Sequence, residues 1–164
     1  TRIVLQSLKN CTPKEILQQI NKAVYQDAKI SEVFATLSIV QLNRRNKHLL
    51  YAGAGDLPIL YKNSVSGEID KIYVKGMLLG FAAEGNYEDS LVELNKDDII
   101  ILASDGITES RNSKGEQFGK NELLKSVANI DASVDPLGVI RTDFVNFTSE
   151  KFEDDISLIV IKAE

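Results

Sequence analysis

The sequence is poor in the residues on which many catalytic and metal sites are built. Its 164 residues include one cysteine, one histidine and no tryptophan. Cys11 cannot form a disulfide within the chain, which fits a reducing compartment, and zinc sites built on several histidines or cysteines are excluded. A Ser-His-Asp triad would have to use His48, an unfavourable candidate beside a polar turn. Any metal chemistry must therefore rest on carboxylate oxygens, which suit Mg²⁺ and Mn²⁺.

Long apolar runs and a basic surface are also missing. The longest apolar stretches are short, such as Ile99–Ala103, and none approaches the roughly 18 residues of a membrane span. No signal peptide is recognisable at the start of the chain. With 19 Lys and Arg against 24 Asp and Glu, the formal charge is −5, which argues against a nucleic-acid binder. We therefore expect a cytoplasmic protein with no membrane span.

Hydrophobic periodicity predicts a single α+β domain spanning residues 1–164. Apolar residues at helical spacing, behind the start signals Thr12, Pro13 and Glu15, predict a helix over 13–27, with a short helical segment before it. Helical spacing returns around 122–127 and from 135 onward. Strands are predicted at 34–42, 49–52, 59–61, 69–74, 87–94, 99–104 and 156–161. Because most strands follow one another directly, we expect antiparallel sheets with helices outside them.

Carboxylates at the ends of buried strands are the most informative feature. Asp105 and Gly106 directly follow the strand predicted at 99–104, and Asp154 precedes the final strand. If these two strands are neighbours, Asp105 and Asp154 meet, and a divalent cation would relieve their repulsion. A plain Asp-Gly turn and a solvated strand start are the ordinary alternatives. Spacing alone leaves both interpretations open.

Six segments carry a family resemblance, in order along the chain. They are 12–21 (TPKEILQQIN), 34–37 (FATL), 51–58 (YAGAGDLP), 75–80 (KGMLLG), 98–119 (DIIILASDGITESR, then GEQFG) and 154–157 (DDIS). Together they are similar to motifs of the bacterial PPM (type 2C) serine/threonine phosphatases, in the branch that controls sporulation and stress sigma factors. The similarity covers nearly the whole chain.

The resemblance implies a fold, a cofactor and a substrate class. The fold would be a four-layer α/β/β/α sandwich of antiparallel sheets flanked by helices. The activity would be hydrolysis of phosphoserine or phosphothreonine on a regulatory protein, assisted by a binuclear Mn²⁺ or Mg²⁺ site. In this branch the substrate is typically a phosphorylated anti-sigma-factor antagonist.

The resemblance also implies roles for individual residues. Asp105 and Asp154 match metal ligands of the family, and Gly106 would let the turn pack tightly beside Asp105. Asp155 occupies a more variable position, so we expect it to support the ligands rather than bind metal. Glu109, like the threonine before it, is expected to fix the turn through hydrogen bonds.

Two departures from the family pattern bear on activity. The first acidic motif of the family, an Asp in a Gly-rich turn, has no counterpart here. Gly53 and Asp56 stand where the family has Asn and His, and Asp56 is either an extra acid near the cleft or a turn former.

Three explanations for the missing motif stay open. We expect the C-terminal portion of a complete phosphatase domain, without its first strands. The alternatives are a non-catalytic module that binds a partner and an exchange of strands between two copies. Lost strands would leave unpaired sheet edges, which predict a homo-oligomer or a swapped dimer. A small-molecule binding domain is a further class that the sequence leaves open.

Overall fold

The computed structural model describes residues 11–55, 58–131, 134–148 and 154–164. The helical segment predicted before residue 11, and Asp56, lie outside these residues. The described part contains the elements α1 (Pro13–Ser31), β1 (Leu37–Asn43), β2 (His48–Ala54), β3 (Ile59–Lys62), β4 (Ile69–Ile72), β5 (Ser90–Glu93), β6 (Ile99–Ala103), α2 (Asp105–Glu109), α3 (Gly119–Ala128), α4 (Pro136–Thr148) and β7 (Leu158–Lys162). None of the described helices has the length and apolar character needed to cross a bilayer.

The chain folds into two compact units, and each contains one antiparallel sheet. The first unit comprises residues 1–58 and 72–94, and the second comprises residues 59–71 and 95–164. The first sheet has the strand order β1-β2-β5, and the second has the order β4-β3-β6-β7.

In the first unit, α1 packs on the sheet through its apolar face. Leu17 is fully buried and shares a core cluster with Ala52 and Ala54 of β2. The helix begins where the sequence predicts, because the Glu15 carboxylate accepts a hydrogen bond of 2.8 Å from the backbone N–H of Thr12. This contact satisfies an amide at the helix start, which has no partner within the helix.

In the second unit, helices cover a sheet built around the most apolar strand of the chain. Ile100 and Ile101 of β6 are fully buried or nearly so. The core also contains Phe118 and Phe144, whose rings meet edge to face at 5.3 Å. These contacts fix β6 in the interior and β7 beside it, with Ala103 opposite Leu158 at the end of the pair.

The predicted α+β class, with antiparallel sheets and flanking helices, is confirmed. Two details differ. The strand predicted at 87–94 is confined to β5, because Tyr87 pairs with Gly76 only through an isolated bridge. The turn predicted after β6 is instead the helix α2, whose five residues are too short to show a helical period in the sequence.

Candidate metal centre

The pairing of β6 with β7 brings two acidic segments of the chain together. Beyond the last strand residues, the N–H of Ser104 donates to the carbonyl of Ser157 at 2.9 Å, and the N–H of Ser157 donates to Ser104 Oγ at 3.0 Å. Asp105 begins α2 immediately after this contact, and Asp154 lies three residues before it. The two strands are therefore neighbours. The sequence analysis expected Asp105 and Asp154 to share a site in that case.

In each of the two carboxylates, one oxygen accepts a hydrogen bond from the backbone N–H of the next residue. Asp105 Oδ1 accepts the N–H of Gly106 at 3.0 Å, and Asp154 Oδ1 accepts the N–H of Asp155 at 2.7 Å. Both side chains are exposed. Among the described residues, no donor reaches the second oxygen of either group. These oxygens can bind a hard cation.

Gly106 lets the segment around Asp155 approach α2 closely. A Cβ at position 106 would lie 2.3 Å from the Asp155 carbonyl oxygen, well inside a van der Waals contact. The same carbonyl lies 3.4 Å from Ser104 Oγ. The close approach at Gly106, the residue after Asp105, is made to the backbone of Asp155.

A small polar cavity of about 180 Å³ adjoins Asp154. Gly106, Glu109 and Arg111 contribute to its wall. Arg111 Nη1 donates to the Gly115 carbonyl at 2.7 Å. Glu109 lines the cavity, and the hydrogen-bonding role expected for it stays a prediction.

Thr108 does fix the start of α2. Its Oγ1 donates to the Asp105 carbonyl at 3.2 Å, and Ser110 Oγ donates to the Gly106 carbonyl at 2.6 Å. Both contacts hold the backbone that carries Asp105.

The carboxylates present suit a divalent cation as part of its ligand shell. Among the residues that the structure describes, no group of three or more His, Cys, Asp or Glu side chains comes together. Mg²⁺ binds through one or two protein carboxylates and keeps several waters. Asp105 and Asp154 fit that kind of donor set.

A buried carboxylate that the sequence analysis did not assign a role supports the start of β6. Asp98 is fully buried and accepts hydrogen bonds from Tyr61 Oη at 2.8 Å, the Ser64 N–H at 2.8 Å and the Asn95 N–H at 2.7 Å. Burial alone would raise the pKa of Asp98, but these hydrogen bonds outweigh it and hold the pKa below its ordinary value. The sequence gives little indication that Asp98 is buried, because an aspartate in a turn before a strand is normally solvated.

The sequence analysis also did not identify a buried lysine. Lys62, on β3, is 8% exposed. Its Nζ donates to the carbonyls of Val127 at 3.0 Å, Ala128 at 2.9 Å and Ile130. These carbonyls lie at the end of α3, where backbone acceptors lack partners within the helix. Burial lowers the pKa of this amine. Its fixed donors make Lys62 a structural group of the second unit.

The fold is that of the PP2C phosphatase domains. The SiaA-PP2C domain of Pseudomonas aeruginosa superposes with a TM-score of 0.82 at 16% identity, over 99% of this chain and 65% of that chain. The phosphatase domain of the cell fate determinant SpoIIE from Bacillus subtilis superposes with a TM-score of 0.67 at 16% identity, over 99% of this chain and 71% of that chain.

The chain belongs to the family described as Stage II sporulation protein E (SpoIIE), whose profile matches residues 2–164. It is 26% identical over 152 residues to the phosphoserine phosphatase RsbU of Bacillus subtilis, covering 92% of this chain and 45% of RsbU. It is 25% identical over 131 residues to the protein IcfG of Synechocystis, covering 79% of this chain and 20% of IcfG. The chain thus spans less than half the length of these relatives, and the predicted family is confirmed.

Proposed function

We propose that this chain acts in the metal-dependent hydrolysis of phosphoserine or phosphothreonine on a regulatory protein. The observation that carries the proposal is the register of β6 and β7. It places two exposed carboxylates, Asp105 and Asp154, on segments that are hydrogen-bonded to one another. Membership of the SpoIIE family supports the same reaction, since RsbU is a phosphoserine phosphatase.

We propose the following roles for the residues of the site. Asp105 and Asp154 would hold Mn²⁺ or Mg²⁺, which when bound lowers the pKa of a water and stabilises charge on the phosphoryl oxygens. Gly106 and Asp155 keep the two acidic segments in contact through the close approach at position 106. Glu109 contributes charge to the wall of the adjoining polar cavity.

The physiological setting is part of the proposal. A phosphorylated anti-sigma-factor antagonist in the cytoplasm is the substrate we propose, as in the branch that the motifs resemble. A solved structure with 21% identity and a TM-score of 0.72 combines RsbU and RsbW domains of Rv1364c from Mycobacterium tuberculosis. The presence of both domains in that protein agrees with the proposal that this chain acts on a protein partner.

We also propose a homo-oligomer. Among the strands that the structure describes, β7 lies at one end of the second sheet, and its Ile159 is 56% exposed. An exposed apolar edge strand favours pairing with a second chain. Light scattering that gives the mass of a single chain across the micromolar range would refute this assembly.

Hydrolysis of p-nitrophenyl phosphate, with and without millimolar Mn²⁺, tests the activity. We expect turnover that depends on metal and that falls at least a hundredfold in Asp105→Asn and in Asp154→Asn. Asp27→Asn is the matched control, because this exposed side chain lies on α1 in the first unit. The same three variants are titrated with Mn²⁺ by calorimetry.

The outcomes separate the alternatives. Mn²⁺ binding that requires Asp105 and Asp154, without turnover, supports a non-catalytic module that keeps a family metal site. Neither turnover nor metal binding at these aspartates refutes the proposed function.

A further inference from the structure

A groove of about 510 Å³ opens on the first unit at the turn between β1 and β2. Its wall consists entirely of residues from the segment 41–50 and one residue of β5. Three leucines and three basic residues give it its character: Leu42, Leu50, Leu91, Arg44, Arg45 and His48. We call this feature the basic groove, because no Asp or Glu lines it.

The arginines of the basic groove have no partners within the part of the chain that the structure describes. Neither the guanidinium group of Arg44 nor that of Arg45 forms a hydrogen bond or an ion pair there. Glu93 lies opposite His48 in the register of β2 and β5, but it does not line the groove. Residues 33–55 contain two arginines, one lysine and no Asp or Glu, whereas the whole chain has a formal charge of −5. The groove is therefore a local positive site on an acidic protein.

The turn that carries the two arginines has a well-connected backbone. Asn43 Oδ1 accepts the N–H groups of Arg45 at 3.1 Å and of Asn46 at 3.2 Å. The Leu94 N–H donates to the carbonyl of Lys47 at 2.8 Å. Because these contacts order the turn in the free protein, less conformational entropy is lost when its side chains bind a partner.

Two leucines of the groove leave apolar surface open to water beside these charges. Leu42 is 42% exposed and Leu91 is 56% exposed. Exposed apolar surface with a polar rim is typical of protein interfaces, where arginine is also enriched. A nucleic acid fits less well, since it is bound through many phosphate contacts and by stacking on aromatic rings, and no aromatic side chain lines the groove. A protein partner is therefore favoured.

We propose that the basic groove binds an acidic segment of a partner protein, in which Asp or Glu side chains flank an apolar side chain the size of leucine. The partner's carboxylates pair with Arg44 and Arg45, and its apolar side chain contacts Leu42 and Leu91. Hydrogen bonds between a guanidinium group and a carboxylate are among the stronger ones in proteins. Charge complementarity of this kind selects the partner and speeds association.

The charges also distinguish this occupant from the chain's own N-terminal residues. Residues 1–10 contain Arg2 and Lys9 and no acid, so charge does not favour them in the basic groove. The inference goes beyond the proposed function and does not depend on it. The groove belongs to the first unit, whereas Asp105 and Asp154 belong to the second.

Fluorescence anisotropy with labelled model peptides tests the proposal on the whole chain. The probe is a peptide of Glu-Glu-Leu repeats. One control peptide has Gln in place of every Glu, and a second has Ala in place of every Leu. We expect the probe to bind, the Gln peptide to bind at least about tenfold more weakly, and the Ala peptide about threefold or more. Added NaCl should weaken binding of the probe, because it screens exposed charges.

Matched variants locate the binding site. The double change Arg44→Gln with Arg45→Gln should weaken binding of the probe about tenfold, and Leu91→Ser should weaken it about threefold. The control is Arg141→Gln with Lys120→Gln, which removes the same charge from two exposed side chains of the second unit. We expect the control to change the affinity by less than about twofold. Because all of these side chains are exposed, the variants should fold as the wild type does.

Four results would overturn the proposal. They are absence of binding by the wild type, equal weakening in the two double variants, tighter binding of a labelled oligothymidine than of the probe, and a lower oligomeric mass of the Arg44 and Arg45 double variant in light scattering. The third would identify a nucleic-acid site, and the fourth a contact with a second copy. Binding that requires both arginines, without hydrolysis of p-nitrophenyl phosphate, supports the basic groove and counts only against the proposed activity.

Discussion

Gly106 and the backbone carbonyl of Asp155 are packed so closely that a Cβ at position 106 would lie 2.3 Å from the carbonyl oxygen. This contact joins the first turn of α2 to the segment before β7. The helix carries Asp105, and the other segment carries Asp154. The distance between the two candidate ligands therefore depends on a residue that has no side chain.

Gly106→Ala tests this dependence. Alanine is the better helix former, so a gain in stability would be expected if only local propensity mattered. Because the methyl group meets backbone, we expect instead a loss of about 1–3 kcal/mol in the free energy of unfolding. We also expect Mn²⁺ affinity to fall by about tenfold or more, as when groups that orient metal ligands are altered. Urea denaturation and calorimetry measure the two effects.

Gly138→Ala is the control for this substitution. Its Cβ in α4 would lie 2.9 Å from the carboxylate of Asp135, which accepts hydrogen bonds from the Leu137 and Gly138 N–H groups, so the contact is with the far end of a side chain and not with backbone. We expect no loss of Mn²⁺ affinity. Equal behaviour of the two alanine variants would show that the approach of Gly106 to Asp155 has no role in the metal centre.

Asp98→Asn tests the buried carboxylate before β6. An amide has one acceptor oxygen and places an NH₂ group against donors from Tyr61, Ser64 and Asn95, so hydrogen bonds to a charged group are lost. We expect the free energy of unfolding at pH 7 to fall by about 2 kcal/mol or more. The matched control is Asp97→Asn, which removes only a partly exposed ion pair of 3.2 Å with Lys162.

The pH dependence of stability has a defined sign at Asp98. Its pKa in the folded state is lowered, whereas in the unfolded chain an aspartate has a pKa of about 3.9. The stabilisation is therefore present above the unfolded value and is lost as the pH falls through the folded value. We expect the decline in stability below about pH 4 to be shallower in Asp98→Asn. Parallel curves for wild type and variant would contradict this.

Lys62→Met tests the lysine of β3 whose amine donates to the carbonyls at the C-terminal end of α3. Methionine keeps most of the apolar stem but leaves the carbonyls of Val127, Ala128 and Ile130 without their donor. An unsatisfied buried polar group costs about 1–3 kcal/mol, so we expect a loss of at least about 2 kcal/mol in urea denaturation. Lys125→Met is the control, since this exposed lysine pairs only with Glu122 on the helix surface. A similar loss in both variants would contradict the capping role.

Asn21→Leu tests the attachment of α1 to the loop at 80–83. Asn21 is 1% exposed. Its Oδ1 accepts the Gly80 N–H at 2.8 Å, and its Nδ2 donates to the Ala82 carbonyl at 2.9 Å. Leucine leaves both backbone groups without their hydrogen-bond partner. We therefore expect the free energy of unfolding, measured by heat or urea, to fall by about 2–4 kcal/mol. Gln19→Leu, on the exposed side of the same helix, should change stability by less than about 0.5 kcal/mol.

The sequence pattern was sufficient for the long amphipathic helix and for the continuous apolar strand. The helix predicted over 13–27 is found as Pro13–Ser31, and the apolar run at 99–104 is found as β6. Elements that depend on distant partners were less predictable. Residues 34–36 were assigned to a strand, yet only Ala35 pairs there, through a bridge to Leu79. Helix α2 was missed because its five residues are too few to show a helical period.

The sequence by itself determined the α+β class, the family and the two aspartates to consider, because strand alternation, turn residues and motif order are local properties of the chain. Tertiary structure alone decided that the strands carrying Asp105 and Asp154 are neighbours. It also decided that Gly106 faces the Asp155 carbonyl, and that Asp98, Lys62 and Asn21 are buried polar groups with partners. The physical reason is that burial and hydrogen bonding of a polar side chain depend on residues tens of positions away, which no local pattern encodes.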